Sequence, residues 1–172
     1  MKTISKLIFL LTLALWPSCQ GIPGKDGMDG TSLLGSVFEI KGDFTPANNW
    51  MLYFKFPNTI EVLESDVVFV YILWEQTNNL DVWRLLPQTV VLTEGILQYN
   101  YDYTLADVQI FLGGSLDLNT LLPAESKDQI FRIVVLPADF AKVNSPDVSN
   151  YNLLMKSLGL DAKPVEKIIL GR

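Results

Sequence analysis

The chain of 172 residues contains no histidine and a single cysteine, Cys19. Without an imidazole there is no Ser-His-Asp or Cys-His arrangement, no His-ligated zinc and no histidine general base. A lone cysteine makes no disulfide within the chain, so the fold has to hold by packing. Basic residues are also in the minority, 13 Lys and Arg against 19 Asp and Glu. That balance argues against nucleic acid or anionic headgroups as partners, since both require a basic face. The apolar run Leu7 to Leu15 is about half the roughly twenty residues needed to cross a bilayer. For catalysis there remain carboxylates, lysines, tyrosines and a cation held by oxygen, and no constellation of these points to an enzyme or to a cofactor.

The first thirty residues carry the clearest pattern. Lys2 and Lys6 precede the apolar run, which only Thr12 interrupts, and Trp16-Pro17-Ser18 places a small residue directly before Cys19. This is the form of a cleaved secretory signal over residues 1–18. It resembles a bacterial lipoprotein signal, in which the cysteine becomes the first residue of the mature chain and carries lipid on its sulfur and its amino group. Trp16 and Pro17 depart from the commonest version of that motif and are similar to looser versions in the Bacteroidetes. The bland alternative is plain secretion, which leaves an unpaired thiol exposed in an oxidising compartment; lipidation of Cys19 uses it. Two acyl chains anchor stably where one does not. Gln20, rather than an aspartate, follows the cysteine, and by the same resemblance this favours the outer membrane. Which side of that membrane is left open.

Gly21, Gly24, Gly27 and Gly30 follow at intervals of three, the Gly-X-Y register of collagen. Four triplets span on the order of 35 Å, yet with one proline they are too few to hold a triple helix alone. Residues 19–34 therefore read as the lipidated cysteine and a solvated spacer. The alternative is a trimeric stem nucleated by the domain that follows.

Losing residues 1–18 removes Lys2 and Lys6 and leaves 11 basic and 19 acidic side chains, a formal charge of −8. Residues 35–172 make one domain. Short runs rich in Val, Ile, Phe, Tyr and Trp, punctuated by Gly, Pro, Asn and Asp, are the pattern of strands. The candidates are Val37 to Lys41, Trp50 to Phe56, Val67 to Trp74, Val82 to Leu86, Thr89 to Leu92, Ile96 to Tyr103, Val108 to Leu112 and Ile130 to Leu136, with Val165 to Leu170 as a last one. Val67 to Trp74 is apolar throughout and is the candidate for a central strand. Asn78-Asn79 and Thr93-Glu94-Gly95 read as turns, Ile60 to Ser65 as one helical turn, Gly113-Gly114 as a break, and Ser115 to Asp128 as a loop. Ser145 as N-cap, Pro146 at the first position and the spacing of Val148, Tyr151, Met155 and Leu158 predict a helix over about 146–158, closed by Gly159. The expected fold is mostly β, an antiparallel β-sandwich of about 7–9 strands with that C-terminal helix plugging one end or edge.

The lipoprotein cysteine, the Gly-X-Y triplets, Leu63-Glu64-Ser65-Asp66 leading into Val67-Val68-Phe69-Val70-Tyr71, then Val82-Trp83-Arg84-Leu85-Leu86-Pro87 and Ile133-Val134-Val135-Leu136-Pro137-Ala138 together resemble a group of small collagen-like lipoproteins of unknown function from Bacteroidetes. The resemblance implies a compartment and a β fold, and it brings no site residues.

Tyr99, Tyr101 and Tyr103 alternate with polar residues, so the three rings line one strand face about 7 Å apart. Such a row stacks on sugar rings when exposed and packs across strands when buried; packing carries the greater weight. Trp50, Trp74 and Trp83 read as core or core edge. Asp117 and Asn119 have a spacing seen in calcium loops but lack the further ligands, so no metal site is expected. Asp102 and Asp107 are a carboxylate pair whose separation the sequence leaves open, and Lys41-Gly42-Asp43 resembles a short adhesion tripeptide. The expectation is a non-enzymatic, outer-membrane-anchored lipoprotein with a binding or envelope-structural role toward a glycan or an envelope protein. The alternatives are a carbohydrate-binding module using the tyrosine face and a trimeric structural subunit.

Overall fold

The computed structural model describes residues 35–171. Cys19, the signal and the Gly-X-Y triplets lie outside the described residues. Nine strands run in chain order: β1 Ser36–Gly42, β2 Met51–Lys55, β3 Val67–Thr77, β4 Leu80–Leu85, β5 Gln88–Leu92, β6 Gly95–Tyr103, β7 Asp107–Gly114, β8 Gln129–Leu136 and β9 Glu166–Ile169. They form a five-stranded sheet in the order β4-β3-β8-β1-β9 and a four-stranded sheet in the order β2-β7-β6-β5. All pairings are antiparallel except β1 with β9.

Two faces of the five-stranded sheet are buried, each for its own reason. Along β8 the odd residues Phe131, Ile133 and Val135 enter the core between the sheets, with Phe38, Ile40, Val68, Val70 and Ile72 from the same sheet and Leu52, Phe54, Leu97, Val108 and Ile110 from the other. The even residues Val134 and Leu136 enter a second core with Tyr71, Trp83, Tyr151, Leu154, Met155 and Leu158. A strand with both faces covered loses its alternation, which is why β8 reads as continuously apolar. The expected central strand is β3, covered on both faces as anticipated, but β4 lies outside it and β8 occupies the middle of the sheet.

Among the described residues there are three α-helices: α1 Pro123–Ser126, α2 Ala138–Asn144 and α3 Tyr151–Ser157. Helix α3 lays Tyr151, Leu154, Met155 and, just past its end, Leu158 on the outer face of the five-stranded sheet, the i, i+3, i+4, i+7 stripe of an amphipathic helix. It covers a face rather than plugging an end. It also starts later than the sequence predicts. Ser145 has φ 41° and closes α2 in the left-handed region, its N–H donating to Ala141 O; Asn150 is the N-cap of α3, its Oδ1 accepting from Leu153 N at 3.2 Å. The expected helical turn at residues 60–65 is irregular, pinned by Asp66 N donating to Leu63 O at 2.9 Å and Leu63 N donating to Asp66 Oδ2 at 3.0 Å. Gly113 and Gly114 belong to β7 and end it; Gly114 has φ 136°, and a Cβ there would run into Ile96 O. The 115–128 loop holds a 3-10 turn at Leu118–Thr120 and α1.

Asn78 and Asn79, both with positive φ (52° and 61°), join β3 to β4, as the type I′ hairpin turn requires. Glycine is favoured at the second position, so Asn79→Gly is expected to raise the unfolding free energy by about 0.5 kcal/mol, read as a higher urea midpoint with an unchanged slope.

Candidate functional site

One row of side chains crosses the outer face of the five-stranded sheet and carries its charge. The registers place Leu85, Tyr71, Arg132, Glu39 and Lys167 side by side on β4, β3, β8, β1 and β9. Glu39 is 8% exposed. A carboxylate that buried has to be paired, and it is: its Oε2 accepts from Arg132 Nε at 3.1 Å and Nη2 at 3.0 Å, and its Oε1 faces Lys167 Nζ at 2.9 Å. The guanidinium is held flat as well, 4.2 Å from the Trp83 ring centroid and 4.9 Å from that of Tyr151. Tyr151 in turn packs edge-on against Tyr71 at 5.2 Å, and Tyr71 donates its hydroxyl to Val148 O at 2.5 Å. Burial raises the Tyr151 phenol above its ordinary value, with Arg132 pulling against it.

Where α3 leaves the sheet, the chain from Leu160 to Val165 turns back into β9 and encloses a cleft of about 240 Å³. Arg132, Lys163 and Lys167 supply its cations, Asp161 its carboxylate, and Met155, Leu160 and Val165 its apolar wall. The arrangement suits recognition of a small anion. The sequence signal that could have found it is Arg132 itself, a lone charge inside Ile-Phe-Arg-Ile-Val-Val-Leu. Glu39 was hidden because alternation in β1 reads it as solvent-facing, whereas α3 covers that face. A second cavity, about 340 Å³, borders Gly35, where residues 1–34 join, and its titratable lining is Glu61 and Asp66.

The residues singled out from the sequence fall elsewhere. Tyr99 is buried and donates its hydroxyl to Glu125 O at 2.7 Å; Tyr101 is half-buried and donates to Val68 O of the opposite sheet at 3.1 Å. Only Tyr103 is open, at 40% exposure, stacked on Tyr101 at 6.5 Å. The face looks into the sandwich, so no solvent-facing row of three rings is formed. Trp83 belongs to the core under α3, whereas Trp50 and Trp74 lie at the edge of the core between the sheets, with Arg84 4.0 Å over the Trp74 ring. Asp117 caps the 3-10 turn by accepting from Asn119 N at 3.0 Å and Nδ2 at 2.9 Å, which lowers its pKa. Among the described residues no group of three or more Cys, Asp or Glu side chains converges on a metal position.

Asp107 accepts from Tyr53 Oη at 2.7 Å and Thr104 Oγ1 at 2.8 Å. These bonds hold its carboxyl below the usual range and raise the Tyr53 phenol, so Asp107 is committed to a strand-end turn. Lys41, Gly42 and Asp43 are structural: Lys41 pairs with Asp128 at 3.0 Å, Asp43 with Lys127 at 3.6 Å, and a Cβ on Gly42 would press on Leu52. Among the described residues no helix is long and apolar enough to cross a membrane. No family model, curated protein or solved structure matches the chain.

Proposed function

We propose that the chain is a lipid-anchored, non-enzymatic envelope module, with Cys19 acylated, residues 20–34 serving as a spacer and the sandwich presented to a partner at the outer membrane. The observation that carries this reading is the order of the first segments. A positively charged start, a short apolar run and Ser18-Cys19 lead at once into Gly-X-Y triplets, and β1 begins at Ser36, a few residues after Gly30. A sandwich whose first strand follows so closely needs a tether that is extended and soluble, and Gly-Lys-Asp and Gly-Met-Asp triplets are both. The similarity to small collagen-like lipoproteins of Bacteroidetes supports the compartment. The non-enzymatic part rests on chemistry: a chain without histidine, whose one thiol is committed to lipid, has neither imidazole nor thiolate to work with.

The test is metabolic labelling with an alkynyl fatty acid in a bacterial host that processes lipoproteins, followed by membrane fractionation. The wild-type chain is expected to take the label and sediment with outer membranes, and Cys19→Ala to take none and leave that fraction. A wild-type chain without label, or a Cys19→Ala chain that still sediments with membranes, overturns the anchor. Turnover of a glycan or peptide substrate that a single carboxylate substitution abolishes overturns the non-enzymatic reading.

A further inference from the structure

We propose that the cleft between α3 and β9 binds a carboxylate that ends a short apolar body, the chemistry shared by a peptide C-terminus and a short aliphatic acid. Three cations, Arg132, Lys163 and Lys167, stand around it against two carboxylates, Glu39 beneath and Asp161 at the wall. The local balance is one positive charge, on a chain that carries −8 once residues 1–18 are lost. An excess of one matches a monoanion rather than a phosphate dianion.

Arg132 is pre-positioned for this task. Glu39 accepts from its Nε and one Nη2 hydrogen, and the Trp83 and Tyr151 rings fix its plane. A guanidinium has five N–H donors, so its outer edge keeps donors to offer, already oriented and already desolvated on one side. Rigid arginine forks favour carboxylates for this reason, and little side-chain entropy is lost when one arrives. Lys163 and Lys167 add charge from the rim, Lys167 with 72% of its side chain exposed. Met155, Leu160 and Val165 form the facing wall, which suits methyl or methylene groups next to the charged end. A volume of about 240 Å³ lies below the roughly 300–1,000 Å³ of pockets for drug-sized ligands, so the body is short. Capture of a chain terminus by fixed donors beside an apolar pocket is a general recognition mode.

The inference stands apart from the lipid anchor, and its test does not involve Cys19. The purified full chain is titrated with N-acetyl-Ala-Ala, with the C-terminal amide of that dipeptide, with butyrate and with sulfate, at low salt. Tryptophan emission, to which Trp83 contributes with the other three tryptophans, follows the titration, and backbone amide shifts of Lys163, Val165 and Lys167 locate the response. The dipeptide acid is expected to saturate these signals, and its amide to bind at least about tenfold more weakly. Lys163→Glu reverses an exposed charge at the rim and is expected to weaken the acid by about tenfold at an unchanged melting temperature. Butyrate equal to the dipeptide acid identifies the ligand as a free short acid, and butyrate much weaker identifies it as a peptide terminus; both support the proposal. It is overturned if the amide binds as well as the acid, if sulfate binds as tightly as either acid, or if the cleft resonances do not respond.

Discussion

Raising the pH from about 9 toward 12 is expected to unfold the domain in one cooperative transition, in which the β structure is lost as the buried phenols ionise. Burial is the largest cause of raised pKa at Tyr71, Tyr99, Tyr101 and Tyr151, and Tyr99 is pushed up to about 12. Three of these hydroxyls are donors to backbone carbonyls of other segments, Tyr71 to Val148, Tyr99 to Glu125 and Tyr101 to Val68. A phenolate cannot donate, and it would face each carbonyl with like charge. The folded state therefore holds these protons to higher pH than the unfolded chain, whose phenols titrate near 10.0. Below that value the stabilisation is fully present; above it the folded state binds more protons than the unfolded one, and stability falls until the folded value is passed. At about 1.4 kcal/mol per unit, Tyr99 alone accounts for roughly 3 kcal/mol. Tyr71, Tyr101 and Tyr151 are raised in the same direction and add to that loss, which is set against the roughly 5–15 kcal/mol that holds a typical domain. Far-UV circular dichroism and phenolate absorbance, followed in parallel, should change together. Complete ionisation near pH 10 with the β signal intact would sink the prediction. Tyr99→Phe is expected to lose about 1 kcal/mol at neutral pH and to make the alkaline loss of stability shallower.

The same tyrosines mark the limit of what the sequence shows. Alternation in Gln98 to Tyr103 correctly places three rings on one face, but whether a strand face looks at water or at another sheet depends on what covers it, and that is set by residues far along the chain. Strand positions were legible because Val, Ile and aromatic runs ended at Asn78-Asn79, Thr93-Glu94 and Pro57, and these turns need no tertiary information. The helix start was not. Ser145-Pro146-Asp147 is a sound N-terminal signal, yet the N-cap is Asn150, because Tyr71 ties Val148 O to the sheet and α2 ends at Ser145. The cleft was illegible for a related reason. Arg132 and Glu39 are 93 residues apart, Lys167 joins them through a parallel strand that no local pattern announces, and only their common row on the sheet makes a site. Gly114 was read as a break although it ends a paired strand, because its need for a positive φ arises from the close approach of β6.

Removing the carboxylate from that row is expected to be the most damaging single change on the outer face, with Glu39→Gln costing about 3–5 kcal/mol of unfolding free energy in urea. The charge of Arg132 is then left beneath α3, against the Trp83 and Tyr151 rings, with its side chain 17% exposed. Lys167 can swing to water, so the cost falls on the arginine. The surface pair Lys41–Asp128, with 42% and 61% of the side chains exposed, is the contrast, and Lys41→Gln is expected to change stability by no more than about 0.5 kcal/mol. A buried pair is costly to break but not always costly to replace. Glu39→Leu with Arg132→Met, which fills the same space with apolar groups against Trp83, Tyr151 and Met155, is expected to recover most of the loss. The coupling between the two sites, from the double-mutant cycle, should then exceed about 2 kcal/mol. Additive losses, or a Glu39→Gln cost below about 1 kcal/mol, would show that water or Lys167 screens the pair. If the double variant is as stable as the wild type, stability does not require an ion pair in this row. A stable double variant that no longer binds a carboxylate in the cleft would assign the pair to ligand recognition, with Glu39 acting as the group that holds Arg132 in place to receive the ligand.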